Sequence, residues 1–290
     1  MPSDQTLGMS YKAILVHVDI SEGAGERINL AISIAKNQHA CLVGAAVTGV
    51  TRFIYQAGLI NGNDPNLTAH LVAQLETLRA NARAALAEFE GAAKNAQVSP
   101  FETKLIDDDA DGFVSTARIN DLVVAGQPNP EDPSPAVAPD FPEFVVLHSG
   151  RPVLLVPYAG HFEQVGAKLM IAWDASVSAT RAVSDALPIL ARAESVSVAV
   201  FNPESVEATD GPEAGADIAQ YLAHHGVKAD VIRQKTDIDI GNALLSLAID
   251  LNSDAIVMGA YGHSRMRERL LGGVTRTVLE SMTIPVLMSH

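Results

Sequence analysis

The chain repeats itself. KAILVHVDISEGAGERINLAISIA, from Lys12, and KLMIAWDASVSATRAVSDALPIL, from Lys168, share one order. Each has an apolar strand, an aspartate at its end, small polar residues, then apolar positions at helical spacing. Asp19 and Asp174 stand 155 positions apart. Further on, NDLVVAGQ corresponds to SDAIVMGA and GRPVLLVP to TIPVLMSH, and the offset there is 133: Asp121 to Asp254, Gly126 to Gly259, Pro152 to Pro285. Fixed offsets over such lengths mean two copies of one structural unit. The difference, about 22 residues, belongs to the first copy, and its stretch 49–70, rich in Gly, Asn and turn signals, is expected to hold it.

The strands expected in the first copy are Lys12–Val18, Ala40–Val47, Phe101–Ile106, Leu122–Ala125 and Val153–Val156. Those of the second are Lys168–Trp173, Ser195–Phe201, Lys228–Arg233, Ala255–Met258 and Val286–Met288. A long helix is expected from Thr68 to Asn95, and helices of the second copy from near Ser176, Gly211, Asp239 and Gly273. Strands rich in Val, Ile and Leu that alternate with amphipathic helices define an α/β class. Each copy would build a five-stranded parallel sheet covered on both faces. The expected domains are residues 1–158 and 165–290, joined by YAGHFEQV.

Composition removes several classes of function. The 290 residues are 48% hydrophobic and 19% charged, a globular balance. A net charge of −14 opposes nucleic-acid binding, which needs a basic footprint. No apolar run is long enough for a membrane span. The opening MPSDQTLGMS has neither a basic nor an apolar export region, and the lone Cys41 fits a reducing cytoplasm, where it reads as a small core residue.

Positive charge is concentrated in GAYGHSRMRERLLGGVTRTV, residues 259–278, between the apolar runs DAIVM and IPVLM. In an open α/β sheet, ligands bind beyond the carboxyl ends of the strands where strand order reverses. Glycines there allow close backbone approach, so several N–H groups can face one anion. Gly272-Gly273 then opens a helix whose free N–H groups and dipole favour negative charge, and Thr275 adds a hydroxyl. Each piece also has a plain structural reading: a strand-end turn, a helix start, a solvated arginine face. Their conjunction points to phosphate. Neither a G-x-x-x-x-G-K-[ST] loop nor a G-x-G-x-x-G after a first strand is present.

The spacing G-x2-G-x9-G with a following V-T, filled by Gly259, Gly262, Gly272 and Gly273, resembles the nucleotide-binding universal stress proteins. The flanks IVMG, LLGGVT and IPVLM are similar as well, and the resemblance covers nearly the whole chain as two domains in tandem. It implies two flavodoxin-like, or Rossmann-like, halves that meet along Val153–Val156 and Val286–Met288 as an intramolecular pseudo-dimer, with a homodimer of such chains left open. It implies an adenine nucleotide, usually ATP, with Mg or Mn on its phosphates. By match, Asp174 would face the adenine with Val200 beside it. Met258 and Gly259 would line the nucleoside, and Gly262, Gly272, Gly273, Val274 and Thr275 the phosphates. The family often has Ser or Thr where this chain has Gly273, which removes one hydroxyl contact.

The first copy departs from that pattern. Its corresponding stretch is GQPNPEDPSPAVAPDFPEF, where Asn129, Pro139 and Asp140 replace Gly262, Gly272 and Gly273. Proline offers no N–H, and Glu131, Asp132 and Asp140 repel phosphate. This copy is expected to keep the fold and lose the phosphate loop. An aspartate ending a first strand can also cap the next helix, a reading open for Asp174 and preferred for Asp19. Asp107–Asp109 with Asp111 read as a loop and an acidic first helical turn. His17 reads as a satisfied core or strand-end histidine, His224-His225 as a helix end, and Trp173 as a packing residue.

The function expected is a stress-response nucleotide sensor or regulator in which occupancy changes the surface shown to a protein partner. A slow Mg-dependent ATPase would need a base or water-positioning group near the γ-phosphate, and His263, Glu268 and the arginines are the groups near it in sequence. A ligand-free interaction scaffold is the third reading. No catalytic residue or protein metal site is assigned.

Overall fold

The computed structural model describes residues 9–58, 65–108, 110–203, 214–262 and 273–290. The chain forms two compact units, Tyr11–Arg151 and Pro152–His290.

The N-terminal unit runs β1 (Ala13–His17), α1 (Ala24–Gln38), β2 (Cys41–Val47), α2 (Val50–Gly58), α3 (Pro65–Asn95), β3 (Phe101–Ile106), α4 (Ala110–Ala117), β4 (Leu122–Gly126) and α5 (Phe141–His148). Its strands are parallel in the order β3-β2-β1-β4, with Ile14 opposite both Leu42 and Leu122. Ile14–Val16 and Leu122–Ala125 are almost wholly buried, as strands covered by helices on both faces must be. β3 carries half-buried and exposed residues, as an edge strand does. α3 buries Leu78, Ala82, Ala85, Leu86, Phe89 and Ala93, one stripe at helical spacing. The stretch expected to carry the extra length, 49–70, holds α2 and the first turns of α3. α3 starts at Pro65, three residues before the expected Thr68, because proline suits a first turn whose N–H has no helical partner. Cys41 is half-buried rather than a core residue.

The C-terminal unit runs β5 (Val153–Val156), β6 (Lys168–Ala172), α6 (Val177–Leu190), β7 (Ser195–Phe201), α7 (Ala216–His224), β8 (Ala229–Gln234), α8 (Ile240–Asp250), β9 (Ala255–Gly259), α9 (Val274–Ser281) and β10 (Val286–Ser289). The strand order is β5-β10-β9-β6-β7-β8. All neighbours are parallel except β5 and β10, which pair antiparallel with Leu155 opposite Val286 and Val153 opposite Met288. The fifth strand of the first copy therefore lies in the second compact unit, against the fifth strand of the second copy. The expected helix starts at Ser176, Asp239 and Gly273 are the N-caps of α6, α8 and α9. Gly211 lies outside the described residues, and α7 begins at Ala216.

One aspartate per copy ties two elements together. Asp121 accepts hydrogen bonds from Lys12 N at 2.7 Å and Ala13 N at 3.1 Å, fixing the start of β1 beside β4. Asp254 does the same for β6, accepting from Gly166 N at 3.0 Å, Ala167 N at 2.7 Å and Lys168 N at 2.9 Å. Such charge-assisted bonds set the strand register that positions the far ends, where the candidate sites lie. Among the described residues no helix is long and apolar enough to cross a membrane.

Candidate nucleotide site

In the C-terminal unit the strand order reverses between β6 and β9, and their carboxyl ends carry Asp174 and Gly259. α6 starts directly after β6. Ser176 is its N-cap, and the Ser176 Oγ accepts from Ala179 N at 3.1 Å and lies 3.1 Å from Ser178 Oγ. Asp174 is exposed and accepts from Ser176 N at 3.0 Å. The cap that sequence left open for Asp174 is thus supplied by Ser176. The Asp174 carboxylate forms a short turn and keeps its outer face in solvent.

The glycines are placed by that helix. A Cβ on Gly259 would strike Ala179 N and come within 2.7 Å of Ser178 Oγ. A Cβ on Gly262 would stand 2.7 Å from Ser178 Oγ and 3.1 Å from Ser176 Oγ. The main chain leaving β9 therefore lies directly on the first turn of α6, against backbone atoms at Gly259 and against serine side chains at Gly262. Between them Tyr261 takes a left-handed φ of 56°. Its N–H donates to Thr275 Oγ1 at 3.2 Å, which joins this strand end to the first turn of α9. Thr275 is buried and its hydroxyl proton remains available to donate. Gly273 is the N-cap of α9 and has no side-chain cap. Two helix N-termini, those of α6 and α9, thus flank the same strand end with N–H groups that lack helical acceptors.

Among the residues expected to hold a ligand, Asp174, Gly259, Gly262, Gly273, Val274 and Thr275 lie at these strand ends and helix starts. Met258 and Val200 are buried within β9 and β7, and Val200 Cγ2 packs where a Cβ on Gly215 would be, 3.0 Å away. Gly272, His263, Glu268 and the arginines at 265, 267 and 269 lie outside the described residues. Arg276, the fourth arginine of the loop, is exposed and paired with Glu280 at 2.7 Å. Among the described residues no group of three or more His, Cys, Asp or Glu could hold a metal ion.

The corresponding end of the N-terminal unit is built differently. Asp19 does not cap α1, whose N-cap Gly23 makes no side-chain bond. Its Oδ1 accepts instead from Ser21 N at 3.1 Å, Ser21 Oγ at 2.5 Å and Arg27 Nη2 at 2.8 Å. Arg27 also donates Nε to the His17 carbonyl at 2.7 Å. Burial acts to raise the Asp19 pKa, but the Arg27 guanidinium, His17 and the Ser21 bonds outweigh it and hold the carboxyl well below its usual range. Burial pushes His17 down to about 4 against the pull of Asp19. The His17 ring packs on Phe113 and Phe141 with its Nε2 unpaired, so it ends a strand as expected but is not satisfied.

The proline-rich stretch of this unit packs against the start of α2. Ala136 packs against Gly49, and Arg52 donates to the Val137 carbonyl. Asp107 pairs with Arg79 at 3.0 Å and accepts from Thr48 at 3.0 Å, and Asp111 lies in the first turn of α4 as expected. Asp109 lies outside the described residues. Sequence reasoning missed Arg27 and Arg52. The signal for Arg27 was available: it stands on the buried stripe of α1, where the second copy has Ala182.

Two α/β units, each with a strand-order reversal bearing distinctive residues at its carboxyl end, define a protein of the open, doubly wound type. Residues 167–290 match the universal stress protein family. A universal stress protein from Archaeoglobus fulgidus DSM 4304 superposes with a TM-score of 0.69 at 16% identity, covering 96% of this chain and 95% of its own. A functionally unknown protein from Pseudomonas aeruginosa PAO1 gives a TM-score of 0.57 at 14% identity, covering 99% of this chain and 94% of its own. A shorter universal stress protein from Archaeoglobus fulgidus, in complex with dAMP, covers 42% of this chain and 95% of its own at 18% identity and a TM-score of 0.34. No curated protein matches the chain by sequence.

Proposed function

We propose that the C-terminal unit binds an adenine nucleotide, ATP with Mg or Mn on its phosphates, and that the protein works as a nucleotide-dependent sensor or regulator in the cytoplasm. The observation that carries this reading is the packing of Gly259 and Gly262 onto the first turn of α6, beside the start of α9. This brings the N–H-rich ends of two helices to one strand end, where their dipoles favour an anion. The match of residues 167–290 to the universal stress protein family supports the same reading. Gly262, Gly272, Gly273, Val274 and Thr275 hold the phosphates, Met258 and Gly259 line the nucleoside, and Asp174 and Val200 stand by the base. A hydrogen bond to a charged group contributes about 1.5–3 kcal/mol, so a few give micromolar-class binding after the costs of association. The N-terminal unit keeps the fold and binds no phosphate.

Calorimetry with ATP tests this. Gly262→Val and Gly272→Val should each abolish the binding heat while the circular dichroism spectrum stays that of the parent. Binding that survives both substitutions would remove the assignment.

A further inference from the structure

The two copies differ in a residue of the helix that follows the first strand. The helix after the first strand of the C-terminal unit carries the buried Ala182; the position 155 residues earlier holds Arg27. Arg27 is 4% exposed. Its guanidinium is held by Asp19 and the His17 carbonyl, and its Nη1 lies 2.2 Å from the point where a Cβ of Gly126 would fall. Gly126 is the counterpart of Gly259, so the guanidinium stands at the strand-order reversal of its own unit, between the carboxyl ends of β1 and β4. Removing an arginine from water is costly unless its charge is paired and its donors bonded, and Asp19 and His17 supply both conditions.

A second feature lies beside it. A small open cavity is lined by Val18, Asp19, Thr48, Leu78, Ala82 and Ala136, all from this unit. The carboxyl ends of β1 and β2 thus retain a partly apolar recess, next to a carboxylate that already has its cation.

We propose that Arg27 is the residue that closes the N-terminal unit to ligand: its guanidinium fills the crevice from within, and its removal opens a site for a neutral nucleoside against Asp19. The ligand class follows from the surroundings. Pro139 and Asp140 leave no glycine N–H cradle for phosphate, and Glu131 and Asp132 repel it. The freed Asp19 carboxylate needs donors, which ribose hydroxyls and an exocyclic amine provide. This inference rests on the nucleotide reading of the C-terminal unit only for the choice of an adenine compound as probe.

Backbone amide spectra of the full chain, titrated with adenosine, test it. Val18 and Gly126 amides should stay unmoved in the parent. In Arg27→Ala they should shift, with a midpoint about tenfold or more below the highest adenosine concentration that leaves the parent unmoved. Guanidinium ion should reverse those shifts and sodium at equal ionic strength should not, a competition that a merely structural arginine would not produce. A folded Arg27→Ala chain that ignores adenosine, or a parent chain that responds equally, overturns the proposal. If Arg27→Ala does not fold, Arg27→Gln, with its shorter neutral side chain, is read by the same two outcomes. In the same samples, ATP should move the Gly259 and Gly262 amides. Silence there beside adenosine shifts at Val18 and Gly126 of the variant would sink the nucleotide reading of the C-terminal unit and leave the role of Arg27 standing.

Discussion

Gly262 lies so close to Ser178 that the side chain it lacks would begin 2.7 Å from the serine Oγ. Gly259, at the end of β9, is pressed onto the same helical turn, against backbone atoms of Ser178 and Ala179. Backbone cannot step aside as the tip of a flexible side chain can. Gly259→Ala should therefore destabilise the protein by about 1–3 kcal/mol, the usual cost of overpacking, and, under the proposed function, weaken nucleotide binding with it. Gly91→Ala, within α3 where an added Cβ meets nothing within 4 Å, should stabilise by about 0.5–1 kcal/mol. Chemical denaturation of the two variants checks the contrast.

Asp174 and Ser176 separate two roles that sequence could not. Ser176 caps α6, so Ser176→Ala should cost about 1 kcal/mol of stability. Asp174 is exposed and bonds only within its own turn, so Asp174→Ala should change stability by less than about 0.5 kcal/mol. Under the proposed function it should nevertheless weaken ATP binding. Melting curves and calorimetry on both variants distinguish a cap from a ligand contact.

His17 makes stability depend on pH. Its folded pKa is lowered from 6.5 to about 4, chiefly by burial. The unfolded chain therefore takes up the proton first. The stability of the neutral form is complete above pH 6.5 and is lost as the pH falls from 6.5 to about 4. The full loss is about 3 kcal/mol. Asp19, whose pKa is also depressed, retains its contribution until the pH falls below that window. His17→Phe puts a third aromatic ring beside Phe113 and Phe141 and should flatten the decline between pH 7 and pH 5. An unchanged slope in melting temperature would contradict the assignment to His17.

Asp254 accepts three backbone N–H groups and Asp121 two. Asp254→Ala should therefore destabilise by about 2–3 kcal/mol, more than Asp121→Ala. Hydrogen exchange at Ala167 and Lys168 should accelerate in the first variant, and exchange at Ala13 in the second.

Much of this was legible in the residues. The offsets of 155 and 133 marked both copies, and the apolar runs marked strands found within a residue or two of their expected ends. The Asp121–Asp254 match was visible as a spacing, but its meaning was not. Only the parallel pairing of β1 with β4 and β6 with β9 brings those carboxylates to backbone N–H groups more than 80 positions away. The capping roles suggested for Asp19 and Asp174 went elsewhere because the cap position comes four residues after Asp19 and two after Asp174. Ser176 and Gly23 then occupy the cap positions.

The sequence by itself determined the repeated α/β pattern, the places where glycine is required and the loss of glycines from the first copy's loop. These are local properties, written in periods of two and 3.6 residues and in the presence or absence of an N–H. The tertiary structure decided what occupies each crevice. An arginine on a helix can face solvent or core. Arg27 turns inward because β1, β4 and α1 meet so that Asp19, the His17 carbonyl and the bare face of Gly126 surround one guanidinium. Asp19 and His17 are close to Arg27 along the chain, but Gly126 is not, and only the packing of a whole unit brings its bare face against the guanidinium.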